Sequence, residues 1–155
     1  MFRGANTLSL DAKGRVAIPV KIRQMLQDRC GGQLVVTVDR DEPALLLYPL
    51  PEWEIIEDEL TRLPSLQKKA RVLRRLLIGH ATECELDAHG RILLPSTLRE
   101  YASIDKRVIL VGQGKKFELW NEQIWAERCN TWRAEAAEAK EGDEPLSAQL
   151  GSLSF

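Results

Sequence analysis

The amino-acid sequence predicts an α+β protein built from two tandem copies of one small β-hairpin module, with connecting and carboxyl-terminal helices. Three observations lead to this fold class. A stretch of 17 residues recurs 76 positions later in the chain, which is typical of a duplicated structural unit. Apolar and polar residues alternate within that stretch, as they do in half-buried strands, and apolar residues elsewhere recur at helical spacing.

The repeat aligns residues 3–19 with residues 79–95, and seven of these 17 positions are identical. Average amino-acid usage gives roughly one identity by chance over this length. Both copies contain the pattern Asp-x-x-Gly-Arg-x-x-x-Pro, at 11–19 and 87–95. The chain is therefore interpreted as one module that has been duplicated.

The first element of each copy is predicted to be a β-hairpin. In copy one, Leu8 and Leu10 alternate with polar residues before the segment 11–14, and Val16 and Ile18 alternate after it. The aspartate that opens the segment can accept a backbone hydrogen bond, and the glycine that closes it can take positive φ. This combination favours a type I turn followed by a bulge.

The hairpins are followed by a helix and two strands, so that each copy has the order β-β-α-β-β. A proline at position 19 or 95 suits the first turn of a helix, because its missing N–H has no partner there. A second match at an offset of 72 gives copy one four extra residues, which fit the turn-like segments 30–32 or 39–43. The predicted helices are Val20–Gln27 and Ser96–Tyr101, and the predicted strands are Gln33–Val38, Ala44–Tyr48, Arg107–Val111 and Lys116–Trp120.

Two helices with a break at Pro64 are predicted between the copies, in the segment 51–77. The first is acidic and the second is basic, so we expect them to pair with each other or to bridge neighbouring subunits; the alternative is that the basic helix binds DNA. A final helix is predicted over about 121–140. The resulting division is a first module 1–53, connecting helices 54–78, a second module 79–122, a carboxyl-terminal helix 123–141 and a flexible tail 142–155.

The composition is that of an ordinary globular protein, with 29% charged residues and a net charge of −1. The acids are concentrated at 118–144, where eight acids and three bases give −5 and leave +4 for the residues before them. A DNA contact would therefore have to be local. No apolar run approaches the roughly 20 residues of a membrane span and no secretory signal is evident, so the cytoplasm is the expected compartment. Three widely spaced cysteines favour neither disulfides nor a metal site.

Several motifs together resemble the MraZ family. They are the paired Asp-x-x-Gly-Arg-x-x-x-Pro segments, the stretch 45–53 (LLLYPLPEW), the stretch 79–87 (GHATECELD) and the stretch 110–120 (LVGQGKKFELW), and the match covers residues 1 to about 133. The resemblance implies two SpoVT-AbrB (AbrB-like) modules that form a pseudo-dimer of the swapped-hairpin type. It also implies a ring of several subunits that regulates the division and cell-wall gene cluster by binding short direct repeats in double-stranded DNA, in the cytoplasm and at the nucleoid.

The arginine that follows each turn is the leading candidate for DNA contact. Because Val16 and Ile18 share the core face, Arg15 points to the opposite face, and Arg91 repeats this position. Guanidinium groups can fork onto phosphate or onto guanine. The alternative is that both arginines pair with nearby acids and brace the hairpin. The predicted DNA-binding residues are Arg15, Lys13, Arg91, Lys21, Arg23 and Arg3, with copy one dominant because it is more basic.

Two other classes of function are weighed against DNA binding. An enzyme would have to use His80, Cys84 or His89, but Cys84 aligns with Leu8 at an inward strand position and is expected to be a core residue. No catalytic residue, metal, cofactor or small-molecule substrate is predicted. The second alternative is a protein-interaction module of the antitoxin type without a specific DNA target, in which the acidic carboxyl-terminal helix could dock a partner.

Overall fold

A computed structural model of the protein describes residues 1–142 and residue 153. The chain divides into two compact units, Met1–Glu122 and Gln123–Phe155. Most of the predicted tail lies outside the described residues. The strands are β1 Ala5–Ser9, β2 Arg15–Ala17, β3 Gln33–Val38, β4 Ala44–Pro49, β5 Thr82–Glu85, β6 Arg91–Leu93, β7 Arg107–Gly112 and β8 Phe117–Asn121; the helices are α1 Val20–Cys30, α2 Leu50–Arg62, α3 Lys68–Leu77, α4 Ser96–Tyr101 and α5 Glu122–Gly142.

The two copies exchange their first strands within one sheet. The six-stranded sheet has the order β1-β7-β8-β4-β3-β5. The first strand of copy one therefore pairs with copy two, with Ala5 opposite Val111, and the first strand of copy two pairs with copy one, with Gln33 opposite Glu85. The strands β2 and β6 form a separate antiparallel pair, in which Val16 faces Ile92. Both predicted copies of β-β-α-β-β are present, and the α+β fold of two tandem modules is confirmed.

The predicted hairpin differs from the structure in one respect. The strands β1 and β2 are joined by a tight turn but meet at only one bridge, between Leu10 and Val16. Both strands pair over the rest of their length with the other copy. Five residue pairs join β1 to β7, whereas β2 has only three residues. The exchange therefore gives β1 more backbone hydrogen bonds than a local hairpin could.

The four extra residues of copy one occupy both of the predicted places. Fourteen positions separate Pro19 from Gln33 but twelve separate Pro95 from its register equivalent Arg107. Two residues thus lie around the end of α1, where Gly31 takes a left-handed conformation and donates its N–H to the Gln27 carbonyl. The other two lie in the loop between β3 and β4, which is longer than the loop between β7 and β8.

The core of the first unit lies where the two copies meet. The residues after both turns, Val16, Ile18, Ile92 and Leu94, are at most 1% exposed and pack in one cluster with apolar side chains of β3, β4, β7 and β8. This confirms the core face that the alternation predicts. A second cluster places Trp53 of α2 against the outer face of β3 and β4, and Trp120 is buried.

The acidic helix α2 and the basic helix α3 contact each other. Pairing of these two helices was one of the expectations from the sequence. Their junction uses backbone acceptors, since the Arg74 guanidinium donates to the carbonyl oxygens of Leu60 and Leu63 at 3.3 and 3.0 Å. Leu60 lies in the last turn of α2 and Leu63 is the residue that caps it, so their carbonyls lack the i+4 backbone donor of the helix interior. Ala70 of α3 is buried in the contact.

The helix α5 supplies the described part of the second unit. The rings of Trp125 and Trp132 on this helix lie 5.7 Å apart in an edge-to-face arrangement. Trp125 is half-buried. Among the helices of the described residues, none combines the length and the apolar character that crossing a membrane requires.

Candidate nucleic-acid interface

The turn of copy one is built around the Asp11 carboxylate. One of its oxygens accepts the backbone N–H groups of Lys13 and Arg15, at 3.0 and 2.9 Å. The Asp11 carbonyl accepts the N–H of Gly14 at 3.0 Å, and Gly14 has φ of +85°, a value that glycine adopts without the strain of a side chain. The aspartate and the glycine of the motif thus have the turn roles that the sequence predicts.

The turn of copy two has the same construction. The Asp87 carboxylate accepts the N–H groups of His89 and Arg91 at 2.8 and 2.9 Å, and Gly90 has φ of +72°. The two turns, residues 11–15 and 87–91, are called the paired turns below.

Each motif arginine is oriented by the aspartate of its own turn. The Arg15 Nε lies 2.6 Å from an Asp11 oxygen and the Arg91 Nε lies 2.9 Å from an Asp87 oxygen. Both arginine side chains are about one-third exposed, at 31% and 29%. Both arginines therefore make the ion pairs with nearby acids that the alternative, a bracing of the turns, requires. This pairing does not exclude DNA contact, because in the described part of the chain the terminal amino groups of Arg15 have no hydrogen-bond partner.

The paired turns hold their aspartates in the ionised form. The backbone N–H of Arg15, assisted by its guanidinium and by the Lys13 N–H, lowers the pKa of Asp11 from 3.8 to about 2. The corresponding backbone donation from Arg91, with that from His89, lowers the pKa of Asp87. Both carboxylates therefore keep orienting the arginines at physiological pH.

Backbone hydrogen bonds connect each turn to the other copy. The Ile18 N–H donates to the Gly90 carbonyl at 2.9 Å, and the Leu94 N–H donates to the Gly14 carbonyl at 3.0 Å. These bonds, together with the pairing of β2 and β6, fix the spacing of the paired turns. The Arg91 Nη1 also lies 4.0 Å from the Asp11 carboxylate.

Arg23 and Arg99 complete this connection. The Arg23 guanidinium donates through Nε and Nη2 to the Ile18 carbonyl, at 3.2 and 2.9 Å, and lies against Gly90 of the other copy, where a Cβ would overlap it. Arg99 mirrors this arrangement: its Nε donates to the Leu94 carbonyl at 3.0 Å, and a Cβ on Gly14 would lie 2.8 Å from its guanidinium. Both arginines are half-buried.

The structure divides the predicted DNA-binding residues into two groups. Lys13, Arg15 and Arg91 belong to the paired turns, and Arg23 contacts the turn of copy two. Arg3 and Lys21 instead line a separate groove of about 440 Å³, with Phe2, Ile22 and Phe117 among its other walls. The turns and this groove are therefore two distinct basic places on the first unit.

Sequence reasoning missed basic residues that flank the first turn. Lys106 and Arg107 line a cavity of about 510 Å³ with Asp11 and Ala12, and the Lys106 carbonyl accepts the Leu10 N–H at 2.9 Å. They reach this turn only because β1 pairs with β7, so no local signal could have placed them there. The role of Arg99 had a signal, since it stands 76 positions after Arg23.

The residues of the enzymatic alternative do not form a reactive group. Cys84 packs against the main core, as predicted, and burial raises the pKa of its thiol to about 12. His89 is exposed at the tip of its turn, and the His80 Nδ1 lies 2.8 Å from the Leu76 carbonyl. Within the residues that the structure describes, no three His, Cys, Asp or Glu side chains are grouped in a way that could hold a metal ion.

Comparison with known proteins matches the whole chain to one family. A model of the MraZ protein family, described as antitoxin-like, matches residues 1–76 and 77–144. A protein named Transcriptional regulator MraZ from Methylococcus capsulatus is 54% identical over the full length of both chains, and one from Thioalkalivibrio sulfidiphilus is 55% identical over the same coverage. One from Pseudomonas aeruginosa is 59% identical over 125 residues, which are 81% of this chain and 83% of the relative. By the duplicated motif, the strand-exchanged fold and these matches, the chain belongs to the MraZ family.

Proposed function

We propose that the protein is a sequence-specific DNA-binding transcriptional regulator that contacts double-stranded DNA with the paired turns. The observation that carries this proposal is the fixed side-by-side placement of two oriented arginines, each held by the aspartate of its turn. The name Transcriptional regulator, which the relatives carry, supports it. We propose no enzymatic activity for the chain, because those relatives are named as regulators.

The chemistry of the turns suits recognition of a base edge or a phosphate. The Asp11 carboxylate engages the Nε of Arg15, and among the described residues the terminal amino groups of this guanidinium have no hydrogen-bond partner. An arginine whose orientation is already fixed loses less rotational freedom when it forms a bidentate contact. Such a contact with guanine contributes about 1–3 kcal/mol of discrimination against other bases.

We assign the larger share of the binding to copy one. Its turn carries Lys13 where copy two carries His89, and Lys106 and Arg107 stand beside it. Arg3 and Lys21 contact the DNA backbone from the neighbouring groove. The full set proposed for DNA contact is Arg15, Lys13, Arg91, Lys21, Arg23 and Arg3.

A single pair of turns gives weak binding, near the roughly 10⁻⁴–10⁻⁶ M that is usual for non-specific association. We propose that the protein assembles into a ring of several subunits and binds short direct repeats, because several equivalent turns on one DNA raise the affinity by on the order of 10²–10⁴. The target is the division and cell-wall gene cluster, upstream of the protein's own gene, and the protein acts in the cytoplasm at the nucleoid.

The other candidate is a protein-interaction module of the antitoxin type. It is supported by the antitoxin-like description of the family and by the acidic character of α5. The two candidates differ in their dependence on salt, because a module without DNA function shows no steep loss of DNA affinity as the salt concentration rises.

The test is a mobility-shift titration with DNA from upstream of the protein's own gene, at two salt concentrations. The wild-type protein is expected to bind in a salt-dependent and sequence-preferring way. Arg15→Ala should weaken binding by roughly 5- to 150-fold, which corresponds to about 1–3 kcal/mol. Arg40→Ala is the matched control, since Arg40 is exposed in the loop after β3 and forms an ion pair with the neighbouring Asp41.

Three results separate the alternatives. Loss of binding in Arg15→Ala but not in Arg40→Ala supports the paired turns. If Arg15→Ala binds as well as the wild-type protein, the basic helix α3 (Lys68–Leu77) becomes the leading candidate for the DNA contact. No specific binding by the wild-type protein favours the interaction module.

A further inference from the structure

An apolar groove with an acidic rim lies between the helix α2 and the edge strand β5. It has a volume of about 350 Å³, and Val35, Trp53 and Ala81 form part of its floor. Three carboxylates stand around it: Glu54, Glu57 and Glu83. Among the described residues that line this groove, none is basic. We call it the acidic groove.

A surface of the opposite character lies at the start of α3. Leu66, in the turn that joins α2 to α3, is 95% exposed, and Val72 is 41% exposed. Lys68 and Val72 are four residues apart on the helix and share one face. The cations Lys68 and Lys69 beside these apolar side chains are exposed. We call this surface, residues 66–72, the basic ridge.

The acidic groove and the basic ridge lie at opposite ends of the pair of helices. Glu54 lies in the first half of α2 and the ridge begins only after α2 has ended at Arg62. At 1.5 Å per residue, the eight residues from Glu54 to Arg62 span about 12 Å along the axis. The groove is lined by the first half of α2 and by residues that follow α3, whereas the ridge lies at the turn between the two helices.

We propose that the basic ridge of one copy docks into the acidic groove of the next copy, so that subunits assemble head to tail. Each surface combines an apolar centre with a charged rim, and the two rims have opposite signs. Docking buries Leu66 against the apolar floor while lysines meet glutamates, which favours both association and the correct orientation. A contact between two different surfaces of one chain can be repeated from copy to copy and closes into a ring when the rotation allows it.

DNA fits the basic ridge less well than a second copy does. An interface with DNA is strongly polar and its contacts go largely to phosphates. Leu66 is almost fully exposed beside the cations, and it would gain no apolar partner from a phosphate backbone. The acidic groove offers such a partner together with the opposite charge. This inference rests on the proposed assembly into a ring, and it names the surfaces that would form it.

The test uses two charge-reversed proteins and measures molar mass by size-exclusion chromatography with light scattering. The groove variant is Glu54→Lys with Glu57→Lys, and the ridge variant is Lys68→Glu with Lys69→Glu. Wild-type protein is expected to assemble and each variant alone to dissociate, because like charges then face each other. The equimolar mixture is expected to recover the assembly, since every contact in an alternating arrangement again joins opposite charges.

A second pair of variants tests the apolar centre. Leu66→Ser is expected to weaken assembly at least tenfold. Val20→Ser, which removes another exposed apolar residue from the start of α1, 68% exposed against 95% for Leu66, should leave it unchanged. Apart from the half-buried Glu57, these side chains are exposed, and thermal unfolding checks that the variants fold.

Every outcome decides between the alternatives. If wild-type protein assembles and both charge-reversed variants still do, the ring stands and the surfaces proposed for it are wrong. If the mixture fails to recover the assembly, the two surfaces do not face each other. A wild-type monomer would overturn the ring and this interface together, without affecting DNA binding by the paired turns. An unchanged assembly of the ridge variant with weaker, less salt-dependent DNA binding would show that DNA occupies the ridge.

Discussion

Arg23 shows how one side chain can be placed in two different roles. The sequence predicts a DNA contact for it, and the structure uses its guanidinium to hold the Ile18 carbonyl against the turn of the other copy. Both roles weaken DNA binding when the residue is lost. Two other measurements distinguish the roles. Loss of a phosphate contact changes how steeply DNA affinity falls with salt, whereas loss of a positioning contact lowers the free energy of unfolding.

We expect Arg23→Ala to lower the free energy of unfolding by about 1.5–3 kcal/mol, since it removes two charge-assisted hydrogen bonds from a partly buried carbonyl. Lys21→Ala, two residues away and exposed, should leave stability within about 0.5 kcal/mol and reduce the salt slope of DNA binding by about one. Denaturant unfolding and the plot of log K against log salt measure the two quantities. An unchanged stability of Arg23→Ala would contradict the positioning role.

Gly90 provides a second test of the same contact. Gly90→Ala forces a side chain into a backbone with positive φ and also displaces Arg23. Gly4 is the matched control, because it too has positive φ, of +89°, but has open space where a Cβ would stand. The strain alone costs about 1–2 kcal/mol at Gly4, and Gly90→Ala is expected to cost clearly more. Equal midpoints of denaturation for the two variants would show that Arg23 moves aside freely.

The turn aspartates make stability depend on pH in the acid range. The folded state lowers the pKa of Asp11 to about 2 from 3.8, so its contribution is complete above about pH 4 and is lost as the pH falls towards 2. We expect the free energy of unfolding of the wild-type protein to fall more steeply over this range than that of Asp11→Asn. Chemical denaturation at pH 2, 3 and 4 measures the difference, and parallel curves would refute it.

Among the secondary-structure elements, the local ones could be predicted from nearby residues, whereas their swapped pairing was expected only from the family resemblance. The alternation of residues around the turns and the prolines at 19 and 95 specify strands and helices from nearby sequence. The strand exchange depends on which distant partner β1 finds, and nothing near residue 5 encodes β7. The aspartate and glycine of the turns were predicted in their roles, whereas the contact between Arg99 and Gly14 requires the exchanged fold.

The exchange of strands predicts how half of the chain behaves alone. A fragment of residues 1–78 contains β1 but lacks β7, which is its partner. Because β3 is the repeat equivalent of β7, a second copy of the fragment can supply that partner. We expect the fragment to be a dimer when folded, by light scattering, and to lose structure as it is diluted, by circular dichroism. A stably folded monomer would contradict the role assigned to the exchange.

At the scale of the whole molecule, a net charge of −1 does not exclude a DNA-binding surface. The acids are concentrated in α2, α5 and the segment that follows, while the paired turns carry Lys13, Arg15 and Arg91 with Lys106 and Arg107 nearby. Attraction to phosphates depends on the charge at the contacting surface, because salt screens charges more than about 8–10 Å away.

Assembly is expected to set the affinity for DNA. A variant that cannot assemble, such as the charge-reversed groove variant, should keep intact paired turns but bind the upstream DNA on the order of 10²–10⁴ more weakly than the wild-type protein. Titration against DNA with one repeat and with several repeats measures the effect, which should vanish for one repeat. If the unassembled variant bound several repeats as tightly as the wild-type protein, the ring would have no part in DNA recognition.

The paired turns are alike in construction and unlike at their tips, with Lys13 on one and His89 on the other. Two identical chains related by a true two-fold axis recognise a palindrome, which has no direction. Fusion of the two halves into one chain removes that requirement, because each half can change its tip independently. The pair then has a left and a right side. A subunit of this kind distinguishes the two orientations of a DNA site, and a row of such subunits would call for sites that all point the same way.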